Sequence, residues 1–292
     1  MRNHQTKTLE RPMTSKAKST SKLSQQTVAI LGLGKIGSIL LQAMLREGLL
    51  SPKRVRATVN HADKTAKLTQ EFGIQVGTDN AAAIKGADII LVALKPQQIG
   101  TVLTSLRDEI KPNQLLISVA ASVPTAYMEE RLAAKVPIIR AMPNTPSMLG
   151  AGMTGICKGA HATAAQLDLA QAMFNTVGRT AIVEEKHMDA VTGLSASGPA
   201  FIYIIIESLA EAGVKVGLPR DLATLLAAQT TMGAAQVVLE TGQHPAQLKD
   251  AVTTPAGCTI DGILELEEGK LRVTLIKAVV KAAQRAKELV FS

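Results

Sequence analysis

Tryptophan is absent from this chain, and aromatic residues make up only 2% of it. Nucleic-acid bases would find few faces to stack on, so a base-binding surface is not expected. Cysteine is nearly as scarce. Cys157 and Cys258 stand far apart, too few for a disulfide framework or a zinc site, and they suit a reducing, cytoplasmic compartment. Long apolar runs are also missing. The most apolar one, Phe201–Ile206, is followed by Glu207 and Glu211, whereas a spanning helix needs about 20 apolar residues, so no membrane role is expected. Acidic residues are rare at the start. Residues 1–26 hold Arg2, Lys7, Arg11, Lys16, Lys18 and Lys22 against Glu10 alone, so most of the formal charge of +8 sits there. The basic balance describes a tail, which is no sign of a nucleic-acid surface. That tail is rich in Ser, Thr and Lys and lacks the apolar stretch of a secretory signal. It reads as a disordered extension. Its composition also suits an organelle transit peptide or a start at Met13.

What the chain does have is aliphatic. Apolar residues are 46% of 292, enough for a sizeable core in two ordinary domains. The stretch that organises the rest is Val28-Ala29-Ile30-Leu31-Gly32-Leu33-Gly34-Lys35-Ile36-Gly37. Four apolar residues predict a buried parallel strand, and Ser38–Leu45 predicts a helix. Between them, Gly32 permits a tight turn, Gly34 lets a pyrophosphate approach the backbone, and Gly37 lets helix and strand pack closely. The helix N-terminus turns unpaired N–H groups toward the phosphates. A dinucleotide site is expected here.

Arg54–Val59 reads as the second strand. An NAD-specific site commonly ends this strand in Asp or Glu, which binds the ribose 2′-hydroxyl. Here it ends at Asn60-His61, with Lys64 behind and Arg54 and Arg56 before. A carboxylate would repel a 2′-phosphate, while Asn60 and cations accept one. NADPH is therefore the expected cofactor, with NADH weaker. The alternation continues with a helix at Thr65–Phe72 and strands at Ile74–Val76, Ala87–Ala93, Leu115–Val119 and Val136–Arg140. One more helix and strand fall between Ala164 and Val183. This predicts an α/β fold built on a doubly wound parallel sheet. Ligands of such sheets sit beyond the carboxyl ends of the strands, so Leu94–Gln97, Ala120–Ser122 and Met142–Pro146 are expected at the site.

From His187 onward no convincing strand remains. Helices are expected from Pro199 through Val214, from Pro219 to about Glu240, over Pro245–Val252 and over Val273–Val290. The boundary is placed near Lys186, giving a dinucleotide-binding domain over 27–185 and a helical domain over 186–292. Helices apolar on several faces call for burial against a second copy, so a homodimer is expected. Asp250–Gly262 interrupts them with threonines and small residues about Pro255. It reads either as a threonine-capped connection or as an anion nest of backbone N–H groups, with Thr254 and Thr259 adding hydroxyl donors.

These segments resemble the pyrroline-5-carboxylate reductase family, the last enzymes of proline biosynthesis. The resemblance covers nearly the whole chain after the tail. It rests on Gly32–Gly37, Lys95-Pro96-Gln97, Arg140–Pro146, Asp189–Ala200, and Leu248-Lys249-Asp250 running into Thr253–Gly262, in the family's order and spacing. It implies an N-terminal Rossmann-like domain that binds NADPH and an all-helical dimerisation domain, with dimers often assembled into a decamer. It implies cofactor contacts at Gly32, Leu33, Gly34, Lys35, Ile36, Gly37, Asn80, Leu94, Lys95 and Pro96. It also implies a substrate loop over Thr254, Ala256, Gly257, Cys258 and Thr259 that holds the carboxylate of a small cyclic imine. Family members usually have Gly where this chain has Ser122, Ala196 and Ala256, and often Thr or Ala at Cys258. A Cβ at Ala256 opposes a positive φ.

Within Thr253–Thr259 there is no His, Lys or carboxylate. A neutral hydroxyl is then the natural partner of the imine nitrogen. Thr259 is the candidate catalytic residue, and the resemblance points to the same position. Competing readings are a reductase of other imines, a β-hydroxyacid dehydrogenase, and a catalytically silent dinucleotide-sensing oligomer. The dehydrogenase needs a G-x-x-x-K-x-x-N helix that the helical half lacks, and an intact substrate loop argues against the silent oligomer. No metal-ligand pattern is present.

Overall fold

A computed structural model describes residues 23–289. The basic tail lies outside the described residues except at its end. There Leu23 is fully buried, and the Gln25 carbonyl accepts a hydrogen bond from Arg54 Nη1 at 2.6 Å. Residues 23–26 therefore belong to the folded chain and not to a tail.

The chain forms two compact units, one running through Ala196 and taking in the chain from Ala286, the other Ser197–Arg285. The first contains β1 (Val28–Leu31), α1 (Lys35–Arg46), β2 (Val55–Thr58), α2 (Thr65–Phe72), β3 (Gln75–Gly77), α3 (Asn80–Ile84), β4 (Ile89–Val92) and α4 (Pro96–Ser105). There follow β5 (Leu115–Ser118), α5 (Thr125–Glu129), β6 (Ile138–Met142), β7 (Gly152–Lys158), α6 (Ala164–Phe174), β8 (Gly178–Ile182), α7 (Met188–Val191) and a π-helical turn at Thr192–Ala196. The strands form one sheet in the order β3-β2-β1-β4-β5-β6-β7-β8.

From β3 to β6 every pairing is parallel. Helices cover both faces, so strands in the middle must be apolar on both sides, and β1, β4 and β5 are buried at every position. Alternate residues serve opposite cores. Val28, Ile30 and Leu91 pack with Leu40, Leu41 and Met44 of α1. Ala29, Leu31, Ile90 and Val92 pack with Ile99 and Leu103 of α4. The chain leaves β1 toward β2 on one side and returns to β4 on the other, which opens a crevice at the carboxyl ends of β1 and β4.

Two features depart from the sequence expectation. β7 runs antiparallel to β6, and β8 is parallel to β7. Gly152 and Gly155 hide the strand in the sequence, because glycine is unfavourable in one unless the backbone is closely approached. Here a Cβ on Gly155 would meet Val191 Cγ1 at 2.7 Å. That contact also holds α7 against β7, within the first compact unit, which runs through Ala196.

The second unit holds α8 (Gly198–Lys215), α9 (Arg220–Thr241), α10 (Pro245–Ala251), α11 (Cys258–Glu268) and most of α12 (Leu271–Glu288). Prolines stand at the start of α8 and α10 and at the N-cap of α9, where a missing N–H costs nothing. Its buried residues are Ala210, Ala223 and Ala227 alone among those described. Gly213 lets α8 and α9 approach, since a Cβ there would lie 2.9 Å from that of Ala223. The large apolar side chains face outward, with Tyr203 60%, Ile204 62% and Leu225 63% exposed.

Candidate active site

The β1–α1 turn has the geometry of a phosphate cradle. Gly32 has φ of +99°, and a Cβ there would stand 2.7 Å from the Ala93 carbonyl oxygen. A Cβ on Gly37 would collide with the Gly32 carbonyl, so helix and turn meet backbone to backbone. Gly34 differs, since a Cβ there would meet nothing within 4 Å. That open space is what a pyrophosphate approaching the backbone requires. Gly34 is also the N-cap of α1, with no side-chain cap and no acidic residue in the first turn. The N–H groups of Lys35, Ile36 and Gly37 are left for an anion. Leu33 is held by its N–H, which donates to the Thr58 carbonyl at 3.2 Å. The chain's own residues therefore fit a dinucleotide.

The other expected cofactor residues gather at the same end of the sheet. Thr58, the last residue of β2, donates from Oγ1 to Asn80 Oδ1 at 2.7 Å, and this bond fixes Asn80 at the head of α3. The sequence does not reveal Thr58, because a threonine in a strand signals only β-propensity. Asp79 caps α3 by accepting from Ala81 and Ala82. Leu94 lies over the turn, its Cδ2 3.0 Å from the Cβ that Gly32 lacks. Lys95 is the exposed N-cap of α4, and Pro96 its first residue. Asn60, His61 and Lys64 follow β2 and are exposed.

Arg54 and Arg56 do not join them. Arg54 precedes β2 and binds the Gln25 carbonyl, so it stands at the opposite end of the strand from Asn60. Arg56 is spent on the carbonyls of Ala82 and Lys85, at 3.5 and 2.5 Å. Of the cations expected near a 2′-phosphate, Lys64 alone follows β2 with Asn60, and it is exposed.

Beyond β6, the Met142–Pro146 loop is braced by an ionic cluster built on one buried arginine. Arg140 is 4% exposed and contacts Glu185 at 3.5 Å and Asp189 at 3.4 Å. Glu185 also accepts from the Thr125 N–H at 2.7 Å and hydroxyl at 2.6 Å. An arginine following the apolar run Val136–Ile139 is its signal in the sequence. Cys157 lies opposite Arg140 in the ladder. Burial, aided by Glu185 and opposed by Arg140, pushes its thiol up to about 12, so it stays protonated and unreactive.

In the second unit, the loop ahead of α11 sorts its threonines. Thr253 spends its hydroxyl on the Lys249 carbonyl at 2.8 Å. Thr254 and Thr259 make no hydrogen bond through theirs among the described residues. Gly257 is the N-cap of α11 and offers no side-chain cap, so the N–H groups of Cys258, Thr259 and Ile260 are unmatched by side chains. Ala256 takes φ of +57°, the left-handed conformation that its Cβ opposes. The loop is held by the Gly257 N–H donating to the Thr254 carbonyl at 3.0 Å. Thr254, Ala256 and Cys258 are exposed.

Comparison with known proteins bears on the chain as a whole. The chain is 42% identical over 267 residues to the pyrroline-5-carboxylate reductase of Methanosarcina acetivorans, covering 91% of this chain and 99% of that one. The Glycine max enzyme of the same name is 41% identical over 263 residues, covering 90% and 96%.

The chain belongs to the pyrroline-5-carboxylate reductase family.

Solved structures agree. The pyrroline-5-carboxylate reductase of Coxiella burnetii matches this fold with a TM-score of 0.84 at 36% identity, covering 91% of this chain and 99% of that one. The Plasmodium falciparum reductase, solved with NADP bound, gives 0.83 at 29%, covering 92% and 99%. Residues 27–122 match the family model for coenzyme F420-dependent NADP oxidoreductases. Residues 185–289 match the model for pyrroline-5-carboxylate reductase dimerisation. The second match bears on the outward-facing helices. Glu185–Lys215 and Arg220–Thr241 are long and apolar enough to cross a membrane, and both fall within the residues that match the dimerisation model.

Proposed function

We propose that this reductase transfers hydride from NADPH to C5 of 1-pyrroline-5-carboxylate, giving L-proline, the last step of proline biosynthesis. The observation that carries the reading is the loop before α11, where two unspent threonine hydroxyls and an uncapped helix start meet with no His, Lys or carboxylate in Thr253–Thr259. Bound NADPH supplies the hydride. The Gly32–Gly37 turn holds its pyrophosphate, and Asn60 with Lys64 favours the 2′-phosphate, leaving NADH the weaker cofactor. Asn80, Leu94, Lys95 and Pro96 complete the contacts along the strand ends.

The N–H groups around Ala256–Thr259, with the Thr254 hydroxyl, hold the substrate carboxylate. The imine carbon is most electrophilic when its nitrogen is protonated. The Thr259 hydroxyl accepts a hydrogen bond from that N–H and orients the ring, so that hydride adds to C5, the C=N π electrons pass to nitrogen, and the nitrogen stays in the ring as the amine. A neutral hydroxyl serves here because the substrate already carries its proton. We infer a homodimer through the helical half, with further assembly to a decamer, in the cytoplasm. A monomer mass by light scattering at micromolar protein would overturn the dimer. The activity is tested by following NADPH absorbance with the cyclic imine, and then with NADH in its place. Absence of imine-dependent NADPH oxidation would refute the reading.

A further inference from the structure

Asn144 is committed on both sides of its amide. Its Oδ1 accepts from the Met153 N–H of β7 at 2.9 Å. Its Nδ2 donates to the Ser195 carbonyl, in the π-helical turn, at 3.1 Å. The second bond fills a gap that the sequence itself creates. In a helix the Ser195 carbonyl would accept from the N–H four residues ahead, but that residue is Pro199, which has none. The next N–H, that of Ala200, goes to the Ser197 carbonyl at 3.0 Å. Asn144 thus stands in for the missing donor. A π-turn is rare, and such turns recur at functional sites.

The same turn is held a second time. Arg140, two residues before the loop's first proline-bound position at Met142, anchors Glu185 and Asp189 just upstream of it. The Met142–Pro146 loop is therefore fixed to β7 and to residues 185–196 by independent bonds. It stands at the carboxyl end of β6, in the half of the sheet beyond the β1–β4 switch point, where the second half of a dinucleotide lies.

We propose that Asn144 is a positioning residue for the reduction, clamping the Met142–Pro146 loop between β7 and the π-turn so that the wall on the nicotinamide side stays fixed. This rests on the reductase reading. Asn144 is assigned no contact with a reacting atom, its Oδ1 bonding the Met153 N–H and its Nδ2 the Ser195 carbonyl, with the Ser195 hydroxyl at 3.5 Å. It acts by keeping the loop from shifting, and a misplacement of about 1 Å at a reacting pair costs roughly a hundredfold in rate.

The test separates the two bonds. Asn144→Asp keeps the acceptor for Met153 but cannot donate to Ser195. Pro199→Ala returns an N–H to the Ser195 carbonyl. For Asn144→Asp we expect kcat for imine reduction to fall roughly ten- to a hundredfold, with KM for NADPH within about twofold because the Gly32–Gly37 turn is untouched. The emission of bound NADPH should change as well. Asn144→Asp combined with Pro199→Ala should regain most of both. Asn144→Ala should also speed hydrogen exchange of the Met153 amide. Wild-type kcat together with wild-type emission in Asn144→Asp would overturn the clamp, as would a loss that Pro199→Ala does not reverse. If the wild-type protein reduces no imine, the reductase reading falls, and the NADPH emission of the same variants still decides the clamp.

Discussion

Ser122 follows β5 in a conformation that serine disfavours, with φ of +65°. It is 1% exposed, and its hydroxyl has no hydrogen-bond partner among the described residues. Two costs are therefore stacked at one position. A residue with a Cβ in the left-handed region loses about 1–2 kcal/mol. A buried hydroxyl without a partner loses about 1–3 kcal/mol. Replacing Ser122 by Gly removes both and adds back about 0.4–1 kcal/mol of unfolded-state entropy. The balance is a stabilisation of at least about 1 kcal/mol, or roughly 2 °C or more in Tm for a chain of this size. Ser122→Ala isolates the hydroxyl, because it keeps the Cβ. Ala256→Gly isolates the backbone, because Ala256 is exposed at φ +57° and has no hydroxyl. Scanning calorimetry at one fixed protein concentration reads all three, the concentration being held because assembly contributes to Tm. A Tm for Ser122→Gly at or below the wild-type value would refute the reasoning, and would mean that the hydroxyl is satisfied or the turn is not strained.

Three further outcomes are expected. Thr259→Ala should lower kcat by roughly ten- to a thousandfold, the range for one lost catalytic hydrogen bond, while Thr259→Ser keeps most activity and NADPH affinity stays unchanged; full turnover in the Ala variant at saturating imine would reduce Thr259 to a helix-end residue. Asn60→Asp should move preference toward NADH in paired assays, and a wild-type preference for NADH would void the ribose argument. Thiol labelling at pH 9 should modify the exposed Cys258 and spare Cys157 until the protein unfolds. Because the Cys157 pKa is raised in the folded state from 9.0 to about 12, the folded chain holds a proton that the unfolded chain releases. Its contribution to stability is therefore present below about pH 9 and lost as pH rises toward 12, which a stability–pH series checks.

Most of the architecture was legible in the sequence because the central strands are buried on both faces and carry unbroken apolar runs such as Ile89–Val92. The helices after Ala196 were legible because prolines mark the start of α8, α9 and α10. β7 was not, since its identity as a strand comes from pairing with β6 and from Val191 lying against Gly155, neither of which is a local property. The cofactor glycines were readable down to separate roles, and Gly32, Gly34 and Gly37 have the geometry that those roles require. Arg54 and Arg56 misled, because proximity in sequence to Asn60 hides that a strand has two ends, and Arg54 sits at the far one. The loop's threonines looked alike in sequence, and only the bond from Thr253 to Lys249 separates it from Thr254 and Thr259. Asn144 was visible within a motif, but its task depends on a proline 55 positions later.

The scarcity of buried residues in the second unit has a consequence for how the protein comes into being. Three alanines cannot offset the chain entropy of Ser197–Arg285, which costs on the order of 1–2 kcal/mol per residue for the backbone alone. The apolar surface of α8 and α9 is the remaining large source of stabilisation, and in the proposed dimer it is drawn on when another chain covers it. Completing the helical half is then a second-order event. Its rate and its equilibrium follow protein concentration, while the sheet unit, with its own two cores, folds at a rate set by its own chain. Newly made chains at low abundance would carry a finished nucleotide-binding unit attached to helices still waiting for a partner, and dilution of the mature protein would return them to that condition.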